Sequence, residues 1–277
     1  MKQTGEECAA QLDRARAPMH RLPHGKDGPK FAPADPSKPA EPIQFDKVGF
    51  MTHGLPAKHL GFALRQGQLC SGYSRAGPNG SFTRTNDKLY GGVTGVYTRA
   101  YSNTHSFEIG SQGVGSGEGK VIVVMSPEIM KTSVWRASTF DGMGAIPGVT
   151  KAYGKVNLKD PAAIKKAWEL QSEAERNEAF MKTMAPGEDL MGHAEQLHYE
   201  GIPLEGVAKA VICTDSAAVA TVMAIQGAKP LDVPDGNIVG YITVGKEKIK
   251  VLRVSATAKV NEALKTAGVA DAEGRVR

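Results

Sequence analysis

The apolar positions fall into short runs parted by polar, glycine-rich stretches, a spacing that predicts several short strands and a few helices. Lys47–Met51 (KVGFM) predicts a first short strand. A helix over Leu55–Gln66 follows, with Pro56 near its start and Leu60, Ala63 and Leu64 on one face. Gly67 stands where a helix C-cap belongs. Residues 67–120 contain twelve of the 32 glycines, which predicts long loops around a strand at Gly95–Arg99. Val121–Met125 (VIVVM) is a β-branched apolar run and predicts a buried strand. Asp160 and Pro161 read as the N-cap and first turn of a helix reaching Met184. Further strands are predicted at Glu195–Tyr199, Ala208–Cys213, Ile238–Val244 and Lys248–Val254, the last two as a hairpin through Gly245. Helices are predicted at Ser216–Gln226 and Thr257–Ala267, and Trp135 and Trp168 are expected in the core.

The pattern changes before residue 43. Seven of the 16 prolines lie between Pro18 and Pro42, in a segment almost free of β-branched and aromatic residues. Burial there cannot offset the ~1–2 kcal/mol per residue that ordering costs. Residues 1–42 are therefore expected to be a disordered leader, either a plain tail or an uncleaved export segment. A single domain is expected over 43–277. No apolar run approaches the ~18 residues of a membrane span, and no secretory signal is legible. Cys8, Cys70 and Cys213 are odd in number and scattered, which speaks against a disulfide framework or a cysteine-rich zinc site. The net charge is +5, of which residues 1–40 carry +2 (seven Lys/Arg against five Asp/Glu), leaving +3 dispersed over the rest. That is too thin for a phosphate-binding stripe, so nucleic acid is disfavoured as a partner.

Several common chemistries fail on spacing. Gly119-Lys120 is no phosphate loop, because position 114 is valine and Val121 stands where a magnesium-binding hydroxyl belongs. No glycine fingerprint links a strand to a helix in the dinucleotide-binding manner. His193 and His198 are five apart on a predicted strand, so they face opposite sides and share no metal. No metal is expected.

Three segments stand out. The first is Met51-Thr52-His53-Gly54-Leu55, at a strand end and leading into the Leu60, Leu64, Gly67 helix. The second is Gly95-Val96-Tyr97, trailed by Ser102-Asn103-Thr104 and Phe107. The third is His193-Ala194-Glu195-Gln196-Leu197-His198-Tyr199, with a glutamate opening a strand, followed by Ile202–Val207 and the strand Ala208–Cys213. In this order they resemble the ADP-ribosyltransferase superfamily, in its His-Tyr-Glu branch of poly(ADP-ribose) polymerases and diphtheria toxin. The resemblance spans roughly residues 47–213. A second pattern is present: Trp135-Arg136-Ala137-Ser138-Thr139-Phe140 is similar to the Ser-Thr-Ser strand of the arginine-directed branch. That branch would need Arg65 or Arg84 on a first strand, and neither lies on one, so the His-Tyr-Glu arrangement is preferred.

The resemblance implies an α+β fold, a split β-sandwich of short strands with flanking helices. It implies NAD as substrate, with Glu195, His53 and Tyr97 as catalytic residues and His53, Gly54, Tyr97, Thr104 and Phe107 as NAD-binding residues. In that scheme the Gly54 main chain pairs the carboxamide and Thr104 adds a hydroxyl. Tyr97 and Phe107 sandwich the nicotinamide, His53 holds a ribose hydroxyl and Glu195 the 2′-hydroxyl. The implied activity is transfer of one ADP-ribose to a host protein by a soluble, secreted bacterial effector acting in the host cytoplasm. His193, where arginine-modifying enzymes carry Glu or Gln, argues against an arginine acceptor; threonine of ubiquitin is the acceptor suggested. The alternatives are an inactive NAD- or protein-binding module on the same scaffold, and a basic nucleic-acid-binding protein.

Overall fold

A computed structural model describes residues 41–70, 95–104, 109, 119–133, 135–138, 173–182, 195–198, 201–232 and 234–277. Residues 1–40 of the expected leader, Phe107, His193, Trp168, Arg84, Thr139 and most of the helix expected over Pro161–Met184 lie outside them.

The described residues form an α+β structure around one mixed sheet of eight strands. The elements are β1 (Val48–Pro56), α1 (Ala57–Gln66), β2 (Gln68–Leu69), β3 (Val96–Ser102), β4 (Lys120–Met125), β5 (Trp135–Ser138), α2 (Glu173–Lys182), β6 (Glu195–His198), β7 (Ile202–Pro203), β8 (Ala208–Cys213), α3 (Ser216–Ala224), β9 (Ile238–Val244), β10 (Glu247–Arg253) and α4 (Val260–Thr266). The sheet order is β5-β6-β3-β1-β4-β8-β10-β9, and β2 pairs with β7 as a separate ribbon. Every neighbouring pair is antiparallel except β8 and β10, between which the chain runs through α3 and the outer strand β9.

The alternation along the strands sorts the core onto two faces. Met51, Leu55, Val121, Val123, Val96, Ala100 and Val211 point to one, where α1 and α3 add Leu60, Ala63, Val219 and Val222. Phe50, Tyr101, Ile122, Val124, Ile212 and Leu252 point to the other, which Val260 and Leu264 of α4 and Val276 close. Central strands buried on both faces read as the unbroken apolar run VIVVM. Trp135 is 3% exposed and meets Phe180 of α2 edge-on, with ring centroids 5.6 Å apart.

Two boundaries matter for the site. The first strand is longer than the sequence predicts: β1 runs on to Pro56, so His53 and Gly54 lie within it and pair with β4. The apolar run stops at Met51, but β4 on one side keeps the chain extended. Gly67 then ends α1 in a left-handed conformation (φ 70°), its N–H closing on Ala63 and Leu64 as a C-cap. Among the described residues, no helix is long and apolar enough to cross a membrane.

Candidate functional site

The site begins where two strands part. β1 and β3 pair at Phe50–Tyr101, Met51–Ala100 and Thr52–Arg99, and there the ladder stops. At this last rung the buried Tyr101 hydroxyl shares hydrogen bonds with the Thr52 and Arg99 side chains. Burial pushes that hydroxyl's pKa up; Arg99 and the hydrogen bonds oppose it. Beyond the rung β1 stays with β4 through Pro56, whereas β3 pairs with β6 at Thr98–Gln196, Tyr97–Leu197 and Val96–His198. The eight-stranded sheet is split along this line.

His53 spans the split. Its Nδ1 lies 2.6 Å from the carbonyl oxygen of Tyr97. A carbonyl only accepts, so Nδ1–H is the donor, and in the neutral ring Nε2 presents its lone pair. Gly54 is oriented by register. The Ala57 N–H donates to Gly119 O at the rung beyond Pro56–Lys120, so odd-numbered β1 positions make the hydrogen-bonded pairs with β4. The N–H and C=O of Gly54 therefore point away from β4, toward the side that β3 has left. Both His53 and Gly54 are half-buried.

Tyr97 reaches His53 through its main chain. The pleat puts its side chain on the face shared with Tyr101, whereas His53 follows Met51 and Leu55 onto the opposite face. The carbonyl, and not the phenol ring, is what the structure brings to His53. Thr104 is a correction. It is exposed beyond the far end of β3, where Ser102 pairs with Val48 and its hydroxyl lies 3.3 Å from the Thr104 hydroxyl. Tyr97 and Ser102 are five residues apart along a strand, roughly 17 Å at the usual rise, so Thr104 and Gly54 do not meet one small ring. The sequence spacing misleads because β3 continues through Ser102 instead of ending at Arg99.

Glu195 opens β6, as its position predicts, and pairs through its main chain with Ser138 of β5. Register places it one residue past the Thr98–Gln196 pair. The segment Trp135–Ser138 is thus a strand, but an edge strand two removed from β3 on the far side of β6. Arg65, the described arginine that the arginine-directed arrangement would use, is exposed in the last turn of α1 and not on β1.

Behind the split lies a buried polar group that spacing did not single out. His198 is fully buried, its Nε2 3.1 Å from Thr98 Oγ1 and its Nδ1 2.8 Å from Ser133 Oγ. Burial, and then the charge of nearby His53, push its pKa down to about 3. Thr98 Oγ1 also lies 3.4 Å from the carbonyl oxygen and from Oε1 of Gln196. Spacing weighs His198 only as a metal ligand, and nothing in Lys131–Ser133 marks Ser133 as its partner. Among the described residues, no group of three His, Cys, Asp or Glu could hold a metal ion.

No protein-family model matches the sequence, and no curated protein matches it. Among solved structures the chain is similar to Thermus sp. 2.9 DarT in complex with NAD+, at 12% identity and a TM-score of 0.35, over 64% of this chain and 87% of that one. It is similar also to Thermus sp. 2.9 DarT in complex with ADP-ribosylated ssDNA, at 12% identity, a TM-score of 0.36 and the same coverage of 64% and 87%. Overlaps at these TM-scores fix neither the fold nor the chemistry of this chain.

Proposed function

We propose that this chain is an NAD-dependent ADP-ribosyltransferase whose nicotinamide site is the split between β1 and β3. One observation carries the reading. At the split, Gly54 turns a main-chain donor and acceptor toward the edge that β3 vacates, next to an oriented imidazole. A carboxamide carries the same donor and acceptor as a peptide unit, so nicotinamide can take the place of the missing strand. The absent Cβ at Gly54 lets a flat ring approach the main chain.

The residues then divide the work. Gly54 holds the carboxamide, and His53 accepts a hydrogen bond from a ribose hydroxyl at Nε2. Tyr97 borders the ring and fixes His53, and Phe107 supplies a stacking face. Glu195 holds the 2′-hydroxyl of the nicotinamide ribose and stabilises positive charge as the glycosidic bond breaks. Nicotinamide leaves with the bonding pair, the acceptor oxygen bonds the anomeric carbon, and the acceptor's proton is released. Transfer of a single ADP-ribose to a host protein, with ubiquitin threonine as first candidate, completes the reading.

The test incubates the full chain with NAD and three acceptors: ubiquitin, a host lysate, and single-stranded DNA, the kind of molecule that carries ADP-ribose in the second DarT structure. Nicotinamide release with a mass gain of one ADP-ribose on a protein is the expected result. A mass gain on DNA alone keeps the transferase and overturns the protein acceptor. Release of free ADP-ribose only, or no release from folded protein, overturns the reading.

A further inference from the structure

We propose that the buried imidazole of His198 is a positioning residue that ties the two sides of the split together. It rests on the reading of that split as the NAD site. The tie has two branches. On one, His198 Nε2 meets Thr98 Oγ1, and Thr98 follows directly on Tyr97, whose carbonyl orients His53. On the other, His198 is the last residue of the four-residue strand that Glu195 opens. Its Nδ1 meets Ser133, in the turn ahead of β5, the outer neighbour of that strand. One ring thus connects β3, β6 and the approach to β5 at the point where β3 has given up β1.

The main-chain ladder alone is short here. Three rungs join β3 to β6 and four join β6 to β5. A slip of one residue would turn every side chain of β6 to the other face and part His198 from Thr98. The ring also fixes polarity. A neutral imidazole has one donor and one acceptor, and two hydroxyls, each able to donate or accept, complete both. With its pKa near 3, the ring is a poor general base toward Ser133, so its contribution is geometric. His198 acts through Thr98 and through its own strand.

Thr98→Val removes the hydroxyl and keeps the shape of a buried side chain; Thr98→Ser keeps the hydroxyl and removes a methyl. We expect Thr98→Val to lower NAD turnover on the order of 10²-fold with little change in the Michaelis constant for NAD, the cost of a small misplacement of catalytic groups. Thr98→Ser should restore most of the turnover. A merely structural role would lower the melting temperature of both variants and leave saturated turnover alone. Nitrogen-15 shifts of His53, recorded without NAD, give a second readout. The wild type should show Nδ1 protonated, and Thr98→Val a mixture of tautomers. Because that readout needs no catalysis, a wild-type protein inert toward NAD would sink the transferase reading while the tie is still decided. Ser133→Ala, a milder cut at the other ring nitrogen, serves if Thr98→Val does not fold. Unchanged turnover and unchanged His53 tautomer in the folded variant, or failure of Thr98→Ser to restore turnover, would overturn the proposal.

Discussion

His53 and Gly54 are adjacent, yet the structure presents them differently: a ring nitrogen of His53 meets the Tyr97 carbonyl, whereas Gly54 turns its main chain toward the edge that β3 leaves. Both were singled out in the sequence only through the resemblance, since a His-Gly pair alone is a common dipeptide. His198 was not, because its role depends on Thr98 and Ser133, 100 and 65 residues away, and no local pattern encodes such partners. Thr104 shows the converse: the sequence ends the strand at Arg99 and leaves Thr104 in a loop, whereas the chain stays extended through Ser102. At Glu195 the proposal is sharpest. Glu195→Gln keeps the shape and loses the charge, so turnover should fall by ~10²–10³, as when a preorganised electrostatic contact is removed. Glu205→Gln is the control, since the exposed Glu205 carboxylate accepts from the Lys246 N–H in a turn away from the split. Modification rate and melting temperature are measured for both. Equal activity in the two variants would remove Glu195 from the site.

Among the elements, those whose pattern is self-contained were read well. Ala208–Cys213 is a strand at the expected bounds, and the hairpin of β9 and β10 turns through Gly245 as expected. The ribbon of β2 and β7 was invisible, since two-residue strands exist only through a partner 133 residues or more along the chain. β1 was read short because Thr52-His53-Gly54 is polar, and only the β4 ladder shows that it continues. Two glycines test how tightly elements are packed. A Cβ on Gly240 of β9 would lie 2.6 Å from Met223 Cε, the end of a flexible side chain. A Cβ on Gly49 would lie 2.9 Å from Asn103 Cα and 2.9 Å from Gly274 O, both main-chain atoms. Overpacking costs ~1–3 kcal/mol where side chains can shift, so Gly240→Ala should fall at or below the low end and Gly49→Ala at or above the high end. Urea denaturation of both variants checks the order. Met223→Ala should relieve part of the Gly240→Ala cost, whereas no side-chain truncation should relieve Gly49→Ala.

For the whole molecule, the last 64 residues carry no part of the sequence resemblance, yet they supply α3, β9, β10 and α4 and complete one side of the sheet. The Val276 N–H closes on Gly49 O at 2.7 Å, so the chain's last residues pack against the start of β1. At the opposite side of the sheet sits His198, and its burial couples folding to pH. Its folded pKa is near 3 against an ordinary 6.5, so as pH falls below 6.5 the unfolded chain takes up a proton that the native ring refuses. Its contribution to stability is fully present above 6.5 and is lost as pH falls toward 3, at up to about 1.4 kcal/mol per pH unit. Asp271 works in a lower window. The Arg275 main-chain N–H, ahead of the Arg275 side chain and charge, holds its carboxyl below the usual range, so it loses stability only as carboxylates protonate. Between neutral pH and about pH 5, carboxylates therefore contribute little to the slope, and a His198→Gln variant isolates the imidazole. Urea unfolding of wild type and variant across that range should show wild-type stability falling more steeply on acidification, with the two curves parallel above 6.5. Equal slopes throughout would mean that the native ring takes up its proton as readily as the unfolded one, and that His198 is not sealed behind the split.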